Sequence, residues 1–284
     1  MGQAKSRVIV ETTNIHNLPG PIVRAVTNDP YNSGHADIST TRLINPPQVE
    51  TLRYRHRAEI VEDVSERIWT MLGQAVHVIA ERSAGKDVIS EQRYFAPMEG
   101  WIVSGAVDLI EGSALIDYKV TSVWTYIYQS RIEEWTAQGN VNRWLIYQQE
   151  KHPEITKLEN ILILRDWAKR DMKRADYPQV QIVTQPLELW SMEKAEAYVR
   201  ERVLIHQKAR DAKDEEMPKC SNEERWENKG RFIRCEEYCP AKKFCHQFKN
   251  EPRPDNSASE PRLKRISRQQ RDENSTDKVG ETTA

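Results

Sequence analysis

The sequence predicts a mixed α/β fold, a central mixed β-sheet flanked by helices, on three observations. Apolar spacing changes along the chain in the order helix, three strands, helix, strand, strand, helix. Residues 101–120, WIVSGAVDLIEGSALIDYKV, read as two β-runs around a Glu-Gly-Ser turn. All four cysteines fall between Cys220 and Cys245, after the last helix, and read as a C-terminal metal-binding module.

Residues 1–55, rich in Pro, Asn, Thr and Gly, predict an irregular segment packed on the core. Over 57–82, Val61, Val64, Ile68, Leu72, Val76 and Ile79 recur at three- and four-residue steps, which predicts an amphipathic helix ended by Gly85. Strands are expected at 88–95, 101–110 and 114–120. A helix follows at 132–149, stopped by Pro153, with Trp135 and Trp144 as core. Short apolar runs at 161–164 and 180–183 predict two more strands, and 188–210 a helix. The core domain is thus 56–212 and the cysteine module 213–249. Residues 250–284 lack aromatics and predict a disordered basic and polar tail, with a cluster of Lys and Arg over 262–271.

The 284 residues carry 42 Lys and Arg against 43 Asp and Glu, a net charge of −1. That balance excludes a global basic field, so any surface for a polyanion must be a local patch. No apolar run approaches the ~18 residues of a membrane span, and residues 1–14 show no apolar core of a signal peptide. A cytoplasmic protein without a membrane partner is expected.

The hairpin carries the chemistry. Gly112-Ser113 suits a two-residue turn, because Gly112 can take a positive φ. The register then pairs Glu111 with Ala114, Ile110 with Leu115, Leu109 with Ile116, and Asp108 with Asp117. Lys119, two residues on, shares the face of Asp117. Two carboxylates directly opposite each other repel unless a cation lies between them. Carboxylate oxygens suit magnesium or manganese, and a nearby lysine can align water and stabilise charge on a phosphate.

Gly105-x-x-Asp108 followed by Asp117-Tyr118-Lys119 resembles the signature of the PD-(D/E)XK nuclease superfamily. Gly73-x-x-x-His77 on the preceding helix is similar to an element of the RecB-like branch. Gly73 would clear space for a ligand beside the histidine ring. Gln138 matches the glutamine of the helix after the lysine. Four residues on, Asn142 departs from the usual Tyr, which bears on the substrate contact from that helix. Glu91 stands where the family often has an acidic residue, either supporting the metal ligands or simply exposed. The likeness spans about 39–210, and the 40–47 stretch is similar to the opening segment of phage-type members. It implies a restriction-endonuclease-like core, with metal bound by His77, Asp108 and Asp117. Lys119 and Gln138 would complete the catalytic set. It also implies DNA rather than a small molecule as substrate, and work with recombination or replication proteins in a bacterial or phage-infected cell.

The cysteines read Cys220-x14-Cys235-x3-Cys239-x5-Cys245. Four clustered thiols favour a metal over disulfides, either tetrahedral zinc or an iron–sulfur cluster. The spacing is not the paired C-x-x-C of a zinc ribbon. Three closely spaced cysteines after the core resemble the four-iron four-sulfur site of CRISPR-associated spacer-processing and AddB-type nucleases, where the fourth lies far upstream rather than at a position like Cys220. Lys242, Lys243, His246 and Lys249 give the module a basic edge. The sequence therefore predicts a magnesium- or manganese-dependent deoxyribonuclease, an exonuclease by resemblance, with an iron–sulfur cluster or a structural zinc. The rival is a non-catalytic DNA-binding or scaffold protein that retains the fold.

Overall fold

The computed structural model describes residues 11–28, 34–83, 85 and 88–251. In chain order its elements are β1 (Glu11–Thr13), α1 (Gly20–Thr27), β2 (Ile38–Ser39), α2 (Thr40–Ile44), α3 (Pro47–Arg55), β3 (Val61–Asp63), α4 (Ile68–Ser83), β4 (Ile89–Met98) and β5 (Trp101–Glu111). Then come β6 (Ala114–Thr121), α5 (Val123–Ile127), α6 (Ile132–Tyr147), β7 (Lys157–Leu164), β8 (Ile182–Leu187), α7 (Met192–Asp211), β9 (Glu227–Asn228), β10 (Arg231–Phe232) and α8 (His246–Asn250). The mixed α/β class and the sheet flanked by helices match the expectation.

The six-stranded sheet runs β2-β5-β6-β7-β8, with β4 pairing along β5. The hairpin has the expected register over Glu111↔Ala114, Ile110↔Leu115 and Leu109↔Ile116, and Gly112 takes φ 58° at its turn. Beyond Leu109 the two strands part. Instead of continuing the ladder, the N–H of Tyr118 donates to the Asp108 carboxylate at 2.8 Å. At its other end β5 pairs in parallel with β2, Ile38 against Val103 and Ser39 against Ser104. The sheet is therefore forked along Gly105–Asp108, and the fork is where the site opens.

Helix α6 closes one side of this fork. Trp135, Val141, Trp144, Leu145 and Ile146 are buried, so both tryptophans are core as expected. Close approach of this helix explains Gly105. A Cβ there would lie 2.2 Å from Asn142 Oδ1, 2.7 Å from Thr40 Oγ1 and 2.8 Å from Leu145 Cδ1. Ser191 caps α7 by accepting from the N–H of Lys194, which sets that helix's start later than the apolar pattern suggests.

Two expectations are corrected. Within 1–55, the described residues form helices α1, α2 and α3 rather than irregular chain. Proline starts both α1 and α3, where its missing N–H costs nothing. Helix α3 buries Gln48, Glu50 and Thr51, and polar burial hides it from any apolar count. The expected helix over 57–82 begins only at Ile68. Upstream, Asp63 accepts from Thr13 Oγ1, from the N–H of Ile15 and from the N–H of Ser65, and β3 pairs in parallel with β1. Those long-range partners pull the segment out of the helix. The periodic apolar face of α4 is also partly open, with Leu72 and Ile79 exposed. The expected tail, apart from Asn250 and Glu251, lies outside the described residues.

Candidate metal and phosphate site

A cavity of ≈ 870 Å³ lies in the fork, bounded by α4, β4, β5, β6 and α6. His77, Asp108, Asp117, Lys119 and Gln138 all line it, so the folded chain brings every catalytic and divalent-metal residue expected from the sequence to one place. Glu91, Arg93 and Asn142 line it too.

Two constellations share the cavity. In the first, donor atoms of His77, Glu91 and Asp108 lie within 4.8 Å of one another. His77 Nδ1 is 3.4 Å from Asp108 Oδ2 and 3.5 Å from Glu91 Oε1. An octahedral magnesium site has ligand atoms roughly 3–4 Å apart, so these donors are within range of one hard cation. The Asp108 carboxylate beside His77, joined by the charges of Asp117 and Glu91, raises the imidazole to about 9. Burial, with Asp108 opposite, raises Glu91 as well. A cation would relieve this concentration of negative charge.

In the second, Asp117, Lys119 and Gln138 form a closed triangle. Lys119 Nζ lies 2.6 Å from Asp117 Oδ2 and donates to Gln138 Oε1 at 3.0 Å, while Gln138 Nε2 donates to Asp117 Oδ1 at 3.0 Å. Gln138 therefore orients both partners. Burial lifts Asp117 to about 6, and the Asp108 charge adds to that, against the pull of Lys119. The Oδ2 atom is buried and makes no hydrogen bond of good geometry, even with the lysine so near. The sequence places Asp117 among the metal ligands with His77 and Asp108. Its carboxylate instead turns to Lys119, and Glu91 takes the third place in the cluster.

Glu91 owes its position to the backbone. Its φ of 50° is in the left-handed region, which costs a non-glycine residue about 1 kcal/mol or more. Its neighbours Ser90 and Gln92 pair with Leu109 and Val107, so Glu91 faces Asp108 across an interrupted rung. Sequence spacing carries no sign of this. Gly73 answers no packing demand of the chain, since a Cβ there would meet nothing within 4 Å. Asn142, the departure from Tyr, donates to the carbonyl of Ala106 at 3.3 Å and fills the place beside Gly105, while its Oδ1 makes no hydrogen bond.

The cysteines line a second, small cavity of ≈ 20 Å³ against Gln48, Val49 and Leu52 of α3. All four are free thiols, and Cys239 and Cys245 are buried. The sulfurs of Cys220 and Cys245 each lie 3.5 Å from Gln48 Oε1. Burial raises the thiols of Cys220, Cys235 and Cys239. Among the described residues, no three cysteine sulfurs come within 4.8 Å of one another. They share a cavity without forming a tight cluster. Gln247 ties the module together by bonding both the N–H and the carbonyl of Cys220, and His56 stacks on Phe244 at 3.9 Å.

No family model matches the chain, and no curated protein matches it. Among solved structures the chain is similar to one described as "Crystal structure of SSO0001", with a TM-score of 0.50 and 14% identity, over 79% of this chain and 94% of that one. At that identity the likeness concerns the fold alone. No helix among the described residues is long and apolar enough to cross a membrane.

Proposed function

We propose that this chain is a metal-dependent deoxyribonuclease that hydrolyses phosphodiester bonds. The observation that carries the reading is the forked sheet, which sets the acidic cluster of His77, Glu91 and Asp108 beside the Asp117–Lys119–Gln138 triangle in one large cavity. His77, Glu91 and Asp108 would hold magnesium or manganese, with Asp117 beside them on its ion pair with Lys119. Such an ion supplies a polarised phosphoryl oxygen and an acidified water. The chain's own part is positioning. Gln138 fixes the Lys119 ammonium against Asp117, so a positive charge stands where phosphate charge develops. The buried, elevated Asp117 is a carboxylate that a cation or a proton must neutralise.

An exonuclease acting on DNA ends, alongside recombination or replication proteins, follows from the sequence resemblance. A non-catalytic DNA-binding scaffold would leave the converging carboxylates without a purpose. For the cysteine module we favour a four-iron four-sulfur cluster over zinc. That preference rests on the sequence resemblance and on a cysteine spacing that is not that of a zinc ribbon.

The test is incubation of the purified chain with end-labelled DNA in magnesium, in manganese and in chelator. Cleavage in either metal and none in chelator supports the reading. No cleavage of single- or double-stranded DNA in either metal overturns it.

A further inference from the structure

Beyond the cavity, exposed aromatic rings of α4 and α5 lie by the C-terminal ends of β6 and β7 and belong to none of the buried clusters. Trp69 is 54% exposed, Trp124 37% and Tyr128 69%. Trp124 and Tyr128 stack with ring centres 6.0 Å apart. The Arg174 guanidinium lies 4.9 Å from the Trp124 ring and that of Arg165 4.3 Å from Trp69. Arg165 also joins the two groups through the backbone, since its N–H donates to Thr121 at the end of β6, three residues before Trp124.

The charge around these rings departs from the rest of the chain. Residues 165–174 hold five basic and two acidic side chains, in a protein of net charge −1. Asp166 is engaged by Ser122 Oγ and the N–H of Val123. Arg174 is paired at two points with Asp176, at 3.0 and 3.2 Å, and Arg170 lies 3.7 Å from Asp171, whereas no ion pair of Arg165 is found among the described residues. Exposed rings with guanidinium groups beside them fit one ligand well. Unpaired bases stack on aromatic faces, and the phosphates between them meet the cations. A duplex hides its base faces and could use only the charges.

Position supports this. Helix α4 runs from Trp69 in its first turn to His77, eight residues and roughly 12 Å further along. Strand β6 runs from Asp117 and Lys119 to Thr121 beside the rings. Two of the elements that line the cavity therefore also reach the aromatic surface. We propose that Trp69, Trp124 and Tyr128, with Arg165 and Arg174, form a stacking track for single-stranded DNA leading into the carboxylate cavity. The track rests on the nuclease reading for its purpose, though not for its binding.

Binding is therefore measured apart from cleavage. Fluorescence anisotropy in chelator compares a labelled oligothymidine with a blunt duplex of equal length, on the full chain. Tyr128→Ala and the pair Trp69→Ala with Trp124→Ala should each weaken oligothymidine binding by roughly 5-fold or more. Duplex affinity should change less than oligothymidine affinity. Trp69→Phe with Trp124→Phe, which keeps two rings, should restore most of the loss. Circular dichroism reports whether the alanine variants fold. The track is overturned if folded Tyr128→Ala and the folded alanine pair bind oligothymidine as tightly as the intact chain. It is also overturned if both DNAs lose affinity equally, or if the intact chain binds no oligothymidine. Metal-dependent cleavage by a chain whose rings do not affect binding would leave the nuclease standing and remove the track. Ring-dependent binding without cleavage would do the reverse.

Discussion

Glu91 and Asp108 face each other across β4 and β5 at a rung the sheet leaves unpaired, and both point at the same nitrogen of His77. Two acids are held together here at the cost of a strained backbone at Glu91. Strain kept at the point where negative charge converges is what a cation site needs in order to stay open without collapse.

Glu91→Gly should separate the two effects. Glycine adopts φ 50° freely, so stability in chelator should hold or rise by about 1 kcal/mol. Manganese affinity should fall, because one of three converging donors is gone. Denaturation in chelator and a manganese titration check this; loss of stability with unchanged affinity would contradict it.

Gly105→Ala should be costly for a steric reason. The new methyl would press on Asn142, Thr40 and Leu145, all fixed by buried packing between β5, α2 and α6. Overpacking of this kind costs about 1–3 kcal/mol. Adding Asn142→Ala should recover part of the loss, which denaturant unfolding of the two variants would show.

Stability should also depend on pH through His206. This side chain is buried, its Nε2–H donates to the Leu43 carbonyl, and burial lowers it to about 4 from 6.5. The unfolded chain therefore binds a proton between these values that the folded chain refuses. The contribution is fully present above 6.5 and is lost as pH falls towards 4, about 3 kcal/mol in all. Asp117, raised to about 6, acts in the opposite sense over part of this window. The measurement is thus the difference in unfolding free energy between the intact chain and His206→Gln from pH 7 to pH 4. It should shrink as pH falls. A constant difference would show that His206 titrates normally.

The cysteine module should depend on its metal for shape. Replacing any of Cys220, Cys235, Cys239 or Cys245 by Ser should destabilise the face of α3 that carries Gln48. Protein purified without oxygen should be brown, with iron and sulfide by elemental analysis. About one zinc per chain would replace the cluster by a structural zinc, and four freely alkylated thiols without metal would remove both.

What could be read from the sequence follows from where the information is local. The hairpin register was legible because Gly112 fixes the turn and a period of two fixes the faces. Helix α6 was legible because its apolar positions are buried against the sheet. The start of α4 was not, because Asp63 is held by residues near Thr13, some fifty positions away. Helix α3 was hidden by its buried polar side chains. In the site, His77, Asp108, Asp117, Lys119 and Gln138 do share a cavity as their order suggested. The fork beyond Leu109, the strained turn of Glu91 and the ion pair that draws Asp117 to Lys119 are tertiary facts with no linear pattern.

The most direct test of the central claim is the rate at which Asp117→Asn cleaves end-labelled DNA in manganese, set beside the intact chain and Lys119→Ala. The amide keeps the shape of the carboxylate and removes the buried charge, so folding in chelator should be unchanged or firmer while cleavage is abolished. Lys119→Ala should still bind manganese but lose rate. Full cleavage by folded Asp117→Asn would contradict the account.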